Sequence, residues 1–328
     1  MTPMSNQTEP LSKTPIFCPK VSVIVPIYNG ERDIPDLIDC LRSQTYPKDR
    51  IEYLLVNNNS SDRTLEMLNQ AATEATQEGV NLTILEENEI QSSYAARNEG
   101  IRHAIGEICV FTDADCRPCS DWVKELVQPF SDPKIGIVAG ELTALPGKSL
   151  WEKYAERYGV MSQKFLLEHP FCPYGQTANL AIRRSIFLEV GLFRPYLTTG
   201  GDADICWRIQ QETDWKLTFS PLGIIQHRHR STLKEFRSQF KRYGQSNRYL
   251  HDLYGVDLMR DFTLKELSSR LSLWIFQEVP KTMIKIILGK ANSLDLIKTP
   301  IDLLRFQARS EGQKIAKLPE EANKIVWS

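Results

Sequence analysis

Two acidic residues, Asp113 and Asp115, follow the apolar run ICVFT and are separated by one residue. Carboxylates at this spacing can bind a ribose hydroxyl and a hard divalent cation, Mn²⁺ or Mg²⁺. Two acids on a turn can also be inert surface groups, so their position along the chain decides between the two interpretations. They come at the carboxyl end of a predicted strand, where open α/β sheets bind their ligands. We therefore predict a ligand site here.

Polar residues follow two earlier apolar runs as well. Tyr28 and Asn29 come after VSVIVPI, and Asn57 comes after IEYLLV. Tyrosine can stack on a flat heterocycle, and asparagine can hydrogen-bond to its edge. Together with the two acids, these residues predict a site for a nucleoside diphosphate and a metal ion.

A sheet is needed to bring these residues to one edge, and the apolar pattern predicts it. Short runs rich in β-branched residues alternate with amphipathic stretches as far as about residue 141; the runs are VSVIVP, IEYLLV, LTIL, ICVFTD and IGIVAG. This alternation is typical of a largely parallel sheet covered by helices on both faces. The predicted fold class is α/β, with a doubly wound, mostly parallel nucleotide-binding sheet.

The pattern loosens further along the chain. It predicts one helix over 150–167, a strand at ANLAIR, a helix opening near Asp202, and two short strands at 217–220 and 223–226. From Thr232 onward, apolar residues recur at helical spacing. We expect three parts: a flexible lead over 1–19, a main domain over 20–230, and a helical C-terminal region over 231–328.

Composition limits the partners. The 328 residues include 40 Lys and Arg and 41 Asp and Glu, so no global positive field favours nucleic acid as a partner. Seven scattered cysteines do not form a disulfide-framework pattern, and the N-terminus has no apolar signal-peptide core. No apolar run is long enough to span a bilayer. These features predict a cytoplasmic protein.

A basic segment and an apolar one occur in the C-terminal region. Residues 228–248 contain seven basic residues and one acid, and LSLWIF with Trp274 follows at 271–276. A basic helix can be a solvated face, or can attract a nucleoside diphosphate or anionic lipid head groups. The apolar segment suits an interfacial helix or one packed on the core. Peripheral contact with the inner face of the plasma membrane is therefore one expectation.

Ordered motifs make a family resemblance specific. VSVIVPIYNG, SQTYP, LLVNNNSSDRT, AARNEGIRHAIGE and FTDAD resemble the nucleotide-sugar half of the inverting family 2 glycosyltransferases, which have the GT-A fold. GQTANLAIRR, GGDADICWR and FSPLGIIQHRHR are similar to the acceptor half of the same family. The resemblance covers residues 21–248, about two thirds of the chain.

The resemblance implies a role for each residue at the donor side of the cleft. These are Pro26, Tyr28 and Asn29 at the base and ribose, Asn57 at the base, Arg97 beside the donor, Asp113 at the ribose and Asp115 at the divalent cation. Asn57 stands where the family usually has an acid, and an amide donates as well as accepts, so the base preference can differ. A UDP-sugar is the expected donor.

On the acceptor side, the resemblance implies that Asp202 is the catalytic base. GGDADICWR resembles the family pattern G-E-D-x-D-x-x-x-R, with Gly201 in place of the glutamate. The alternative for Asp202 is capping of a helix N-terminus, and Asp204 is expected to be a cap or structural acid. His227 is expected to complete the metal site, with His229 as the reserve; the alternative is a solvated histidine pair.

The predicted function is a metal-dependent inverting glycosyltransferase that moves a sugar from a nucleoside diphosphate to a hydroxyl of a glycan or lipid-linked acceptor. A sugar-1-phosphate nucleotidyltransferase is one alternative, but PIYNGERD is not the glycine-rich basic loop that it needs. A non-catalytic membrane-bound scaffold is another, which retention of the acids and His227 disfavours. A redox role for Cys116 and Cys119 lacks a completed motif.

Overall fold

The computed structural model describes residues 17–261 and 263–327. Residues 1–16 of the predicted flexible lead lie outside the described residues. Phe17 and Cys18, the first described residues, pack against the main hydrophobic core.

The described part of the chain contains one eight-stranded sheet. Its strands are β1 (Val21–Ile27), β2 (Ile51–Asn57), β3 (Leu82–Glu86), β4 (Ile108–Thr112), β5 (Cys116–Pro118), β6 (Ile135–Ala144), β7 (Asn179–Arg183) and β8 (Lys216–His227). The spatial order is β3-β2-β1-β4-β7-β6-β8-β5. Strands β3, β2, β1 and β4 are parallel, as are β6 and β8. The predicted α/β fold with a mostly parallel sheet is confirmed.

Helices cover both faces of this sheet. They are α1 (Ile34–Arg42), α2 (Thr64–Gln77), α3 (Ser93–His103), α4 (Trp122–Val127), α5 (Leu150–Arg157), α6 (Lys164–Leu167), α7 (Ile186–Val190), α8 (Gly201–Glu212), α9 (Leu233–Tyr254), α10 (Leu264–Leu273), α11 (Val279–Ile287), α12 (Ser293–Leu296) and α13 (Lys298–Ile315). Side chains of β1 alternate between the faces. Val23 packs with Leu37 of α1, whereas Ile24 packs with Ile101 of α3.

Strand β7 changes direction within the sheet. It pairs antiparallel with β4 on one side and with β6 on the other, so β6 is not a direct neighbour of β4. Edge strand β5 is likewise antiparallel to β8. This arrangement brings the acceptor-side motifs to the same sheet that carries the donor-side motifs.

Two predicted elements differ from those observed. The single helix expected over 150–167 is instead α5 and α6, and the chain between them contains Gly159 with a φ of 57°. The left-handed conformation at Gly159 ends the first helix. The two short strands expected at 217–220 and 223–226 are one strand, β8, whose register against β6 shifts between Gly140 and Glu141.

The C-terminal helices pack closely, with α13 lying along α9. A Cβ atom on Gly312 would lie 1.9 Å from the carbonyl oxygen of Lys241, and one on Gly244 would lie 1.9 Å from that of Arg309. Only glycine permits backbones to approach this closely. As a result, α13 is held against α9 with Arg309 at the crossing. The predicted boundary near residue 230 remains a prediction.

Between these two helices, α10 and α11 are joined by a π-helical turn, Trp274–Glu278. Across the described ranges, no helix is both long and apolar enough to cross a membrane.

Candidate active site

The donor-side residues predicted for the base lie at the carboxyl ends of β1 and β2. Asn29 has a left-handed φ of 48°, and its Oδ1 accepts a hydrogen bond of 2.9 Å from the backbone of Ser61. Asn57 is buried, and its Oδ1 accepts a 3.3 Å bond from the backbone of Ser60. Tyr28 is 56% exposed. Asn29 therefore ties the loop after β1 to the loop after β2, Asn57 orders the loop after β2 itself, and the Tyr28 ring remains accessible.

Pro26 lies inside β1 and is buried. Strand β4 pairs with β1 only over Val21–Ile24, so a proline at position 26 interrupts no hydrogen bond to β4. The assignment of Pro26 to the nucleotide base stays a prediction.

Arg97 and Asp113 form a close ion pair at the end of β4. Nη2 of Arg97 lies 2.5 Å from Oδ1 of Asp113, and the arginine side chain is buried while the carboxylate is partly exposed. The guanidinium carbon is 5.5 Å from the centre of the Tyr94 ring. Arg97 is therefore held in place from two sides, and Asp113 remains accessible for a polar ligand.

Asp115 directly precedes β5 and lies close to His227, the last residue of β8. Nε2 of His227 is 3.4 Å from Oδ1 of Asp115, and Nη1 of Arg230 is 3.4 Å from Oδ2. Burial alone would raise the pKa of Asp115, but the positive potential from His227, Arg230 and Arg228 outweighs burial and lowers it. Asp115 is therefore an anion at neutral pH.

The chemistry of this pair fits a divalent cation. Donor atoms of Asp115, Cys116 and His227 lie within 4.8 Å of one another. Burial raises the pKa of the Cys116 thiol well above its ordinary value, so Cys116 stays protonated and is a poor ligand. A carboxylate and an imidazole remain, and both are common ligands of divalent cations.

His227 and His229 are both 4% exposed, so the interpretation of a solvated histidine pair is wrong. Their ring centres are 6.2 Å apart. Burial, with the nearby His227 and Arg230, lowers the pKa of His229 to about 4. Of the two, only His227 belongs to the group of donor atoms around Asp115 in the described part of the chain.

Asp202 lies in the first turn of α8 and borders a cleft. The N-cap of this helix is Gly200, with a φ of 84°, so Asp202 is not the N-cap residue, although its charge in the first turn suits the helix dipole. Thr177 donates a 2.6 Å hydrogen bond to Oδ1 of Asp202. Burial raises the pKa of Asp202, while Arg97 and the Thr177 hydroxyl partly oppose that shift.

Gly201 differs from the family pattern for a steric reason. A Cβ atom at this position would lie 2.7 Å from the ring of Tyr94, so a glutamate would collide with it. Tyr94 in turn packs beside Arg97, whose charge acts on Asp202. The donor-side and acceptor-side residues therefore meet at Tyr94 and Arg97.

Asp204 is the structural acid that the sequence predicts. It is fully buried, with Nε of Arg194 at 2.8 Å and Nη2 of Arg208 at 3.2 Å. Tyr254 donates a 2.6 Å hydrogen bond to Oδ1 of Asp204. These contacts connect α8 to α9 and leave Asp202, on the same helix, to face the cleft.

Sequence reasoning missed Asp33, which connects the two chain segments that carry the proposed ligands. Its Oδ1 lies 3.0 Å from Nη2 of Arg117, and its Oδ2 lies 2.5 Å from Nη2 of Arg228. Arg117 is two residues after Asp115, and Arg228 directly follows His227. A buried carboxylate that faces two arginines from distant segments has no local signal in the sequence.

Thr177 was also missed as a separate residue. It lies in GQTANLAIRR, one of the motifs that carry the family resemblance, so its presence in a motif was a usable signal. Its contact with Asp202 explains why a hydroxyl is needed there.

Residues 22–191 match the family described as Glycosyl transferase family 2, and residues 108–293 match the one described as Glycosyl transferase family group 2. Glycosyltransferase AglE of Haloferax volcanii is 34% identical over 261 residues, which cover 78% of this chain and 80% of AglE. A Methanococcus voltae protein named dolichyl N-acetyl-α-D-glucosaminyl phosphate 3-β-D-2,3-diacetamido-2,3-dideoxy-β-D-glucuronosyltransferase is 25% identical, with 68% of this chain and 71% of that protein covered.

Among solved structures, the mannosyltransferase PcManGT from Pyrobaculum calidifontis, in complex with GDP-Man and Mn²⁺, superposes with a TM-score of 0.63. Its sequence identity is 20%, and the alignment covers 92% of this chain and 87% of that one. The mostly parallel sheet and the superposition identify a GT-A fold. The chain belongs to glycosyl transferase family 2, and the protein is a glycosyltransferase.

The position of Asp33 generates a stability prediction. Asp33→Asn removes the charge that faces two partly or fully buried guanidiniums, so we expect it to lower the free energy of unfolding by about 3–5 kcal/mol. Asp36→Asn is the matched control, because Asp36 also lies 3.1 Å from Nη2 of Arg117 but is 68% exposed. Its loss is expected to be below about 1 kcal/mol. Urea denaturation measures both, and equal losses would contradict the assignment.

Proposed function

We propose that this glycosyltransferase is metal-dependent and inverting, and that it transfers a sugar from a nucleoside diphosphate to a hydroxyl of a glycan or lipid-linked acceptor. The observations that carry the proposal are the pairing of Asp115 with His227 and the effect of the Arg97 and Asp113 charges on the pKa of Asp202. Because Asp113 is only two residues before Asp115, these charges connect the candidate base to the candidate cation site. A base and a cation site connected in this way suit a single displacement.

Each donor-side residue has a proposed role in binding the nucleotide sugar. Tyr28, Asn29 and Asn57 contact the base, and Asp113 accepts a hydrogen bond from the ribose while Arg97 holds it in place. Asp115 and His227 would hold Mn²⁺ or Mg²⁺, which when bound neutralises charge on the leaving diphosphate. Asp115 supports this task because it is ionised at neutral pH.

The nucleotide is proposed from less direct support. A UDP-sugar remains the expected donor, whereas PcManGT was solved with GDP-Man and GalNAc-T7, at a TM-score of 0.52, with UDP and Mn²⁺. Asn57 accepts a bond from Ser60 through Oδ1, which leaves its amide group as a donor. Both nucleotides are therefore tested below.

Asp202 is proposed to take the proton from the acceptor hydroxyl. A sugar hydroxyl is a poor nucleophile at neutral pH, so a carboxylate within hydrogen-bond reach is needed as the bond to the anomeric carbon forms. The Thr177 hydroxyl orients the carboxylate through a hydrogen bond to Oδ1. The raised pKa of Asp202 supports this role, since it makes Asp202 a stronger base than an exposed aspartate.

We predict that Asp115→Ala abolishes cation-dependent binding of nucleoside diphosphates, because the diphosphate charge is then left without its counter-ion. Thermal unfolding with UDP or GDP, with and without Mn²⁺, measures this. Wild type is expected to gain about 2.7 kcal/mol at a ligand concentration 100 times Kd, and the variant none. Asp214→Ala is the control, an exposed acid before β8. Turnover by the Asp115 variant that resists EDTA would contradict the metal assignment.

We predict that Asp202→Asn keeps the affinity for the donor while kcat falls by about 10² to 10⁴, because the amide cannot accept the proton. Steady-state kinetics with varied donor, and NMR of the anomeric configuration of the product, test this. Weaker donor binding at unchanged kcat would make Asp202 a binding residue instead. A product with the donor's configuration would refute single displacement.

The same role carries a pH signature. Asp202 must be deprotonated to act, so kcat falls as pH drops through its pKa, which burial places above the usual value for aspartate. Thr177→Val removes a hydrogen bond that stabilises the carboxylate, so the pKa rises further. We therefore expect the acid limb of the kcat profile to move to higher pH in this folded variant. An acid limb that does not move would exclude Asp202 as its origin.

Peripheral membrane contact is proposed for the helical surface formed by residues 264–288, which we call the apolar helix segment. Large apolar side chains point outward along it: Leu264, Ile275, Phe276, Met283, Ile284, Ile287 and Leu288 are each at least 50% exposed. Trp274 is not among them, because its indole donates a 2.7 Å hydrogen bond to the Leu296 carbonyl. Lys281 and Lys285 lie within the apolar helix segment, where they favour anionic lipid.

We predict that the protein floats with vesicles containing phosphatidylglycerol and less with neutral phosphatidylcholine. The double variant Phe276→Glu with Ile287→Glu should lose this binding, because carboxylates are repelled by an anionic surface. Leu188→Glu is the matched control, since Leu188 is 68% exposed on α7. Equal flotation of the double variant and the control would show that the apolar helix segment has no role in membrane binding.

A further inference from the structure

The cleft beside Asp202 is closed by helices of the C-terminal region. It has a volume of about 410 Å³. Helix α9 contributes Phe240, Tyr243 and Asn247 to its wall, and α13 contributes Arg305 and Arg309. The chain therefore places two guanidinium groups in the same cleft as its candidate base.

Arg309 has few partners for a buried charge. Its Nη2 donates a 3.1 Å hydrogen bond to Oδ1 of Asn247. Its Nε is buried without a hydrogen-bond partner among the described residues, and the ion pairs of the described ranges include none with Arg309. Burial lowers the pKa of Arg309, which means that its charge is held here at an energetic cost.

Arg305 is only partly neutralised. Its Nη1 lies 3.0 Å from Oδ1 of Asp302, but Asp302 also pairs with Lys298 at 2.5 Å. The Tyr154 hydroxyl donates a hydrogen bond to the same carboxylate. One carboxylate therefore faces two cations, and Arg309 adds a third positive charge nearby. This end of the cleft has an excess of positive charge.

The charges of Asp202 and Arg309 both act on Tyr174. Burial raises the pKa of Tyr174, the charge of Asp202 raises it further, and the charge of Arg309 lowers it. The Tyr174 side chain lines the cleft with them. An acceptor bound here therefore reaches from the arginines to the base.

Part of the remaining wall is apolar. Val160, Phe165, Leu166 and Phe240 line the cleft, and Phe165 is 66% exposed. The guanidinium carbon of Arg305 stacks 4.6 Å from the centre of the Phe240 ring. The site combines positive charge with apolar surface, which suits a ligand having both an anionic group and a hydrocarbon part.

We propose that this cleft binds an acceptor that carries a phosphate group, with Arg309 and Arg305 on the phosphate and the accepting hydroxyl next to Asp202. Guanidinium groups match phosphate through paired N–H donors, and phosphate has enough oxygens for two of them. This inference rests on the proposed glycosyl transfer and names the acceptor class. A lipid phosphate and a sugar phosphate share this chemistry, and the experiment separates them.

The test measures direct binding of three probes by titration calorimetry: farnesyl phosphate, farnesol and glucose 1-phosphate. Wild type is expected to bind farnesyl phosphate, and Arg309→Gln to weaken that binding at least about tenfold. Arg309→Lys should recover part of the loss, because it restores the charge without the fork. Arg305→Gln is a second variant with the same expected direction, and Arg102→Gln on α3 is the surface control.

Binding of farnesyl phosphate but not of glucose 1-phosphate supports a lipid phosphate, and the reverse supports a sugar phosphate. Equal binding of farnesol and farnesyl phosphate would overturn the proposal, as would unchanged affinity in both arginine variants or no binding of either phosphate by wild type. UDP and GDP with Mn²⁺ are titrated into the same samples. If wild type binds neither UDP nor GDP, the proposed glycosyl transfer is contradicted, independently of the acceptor class.

Discussion

The active-site cleft depends on the carboxylate of Asp33. It is buried between Arg117 and Arg228, and these arginines belong to the segments that carry Asp115 and His227. A carboxylate inside a protein is tolerated only when nearby cations compensate its charge. Because Asp33 stands at the start of α1, the first helix of the sheet holds two strand ends that are more than a hundred residues apart in sequence.

The same principle operates throughout the cleft, where each anion has a cation of known position. Arg97 faces Asp113, and buried Asp204 faces two arginines on the far side of α8. Asp202 differs, since no cation pairs with it among the described residues, and hydrogen bonds from Thr177 and the charge of Arg97 only partly oppose its burial. A carboxylate that is fully paired is a weak base, so the incomplete pairing of Asp202 suits proton transfer while the pairing of Asp204 suits structure.

The helices after the sheet form part of the cleft. The two glycine contacts let α13 approach α9, and this approach delivers Arg305 and Arg309 to the space beside Asp202. The apolar helix segment lies between the same two helices in sequence. Acceptor recognition and membrane contact are therefore proposed for one continuous region, which fits an acceptor that has an anionic head and an apolar chain.

The sequence by itself determined the α/β class, the strand ends and the residue types at them, because strand alternation and turn chemistry are local. Asp113, Asp115, Asp202, Arg97 and His227 could be named from motifs, whereas the contact of Thr177 with Asp202 could not. The antiparallel insertion of β7, the double ion pair of Asp33 and the arginines of α13 at the cleft were decided by tertiary structure. Each joins residues far apart in the chain, and one sequence holds no record of which distant side chains pack together.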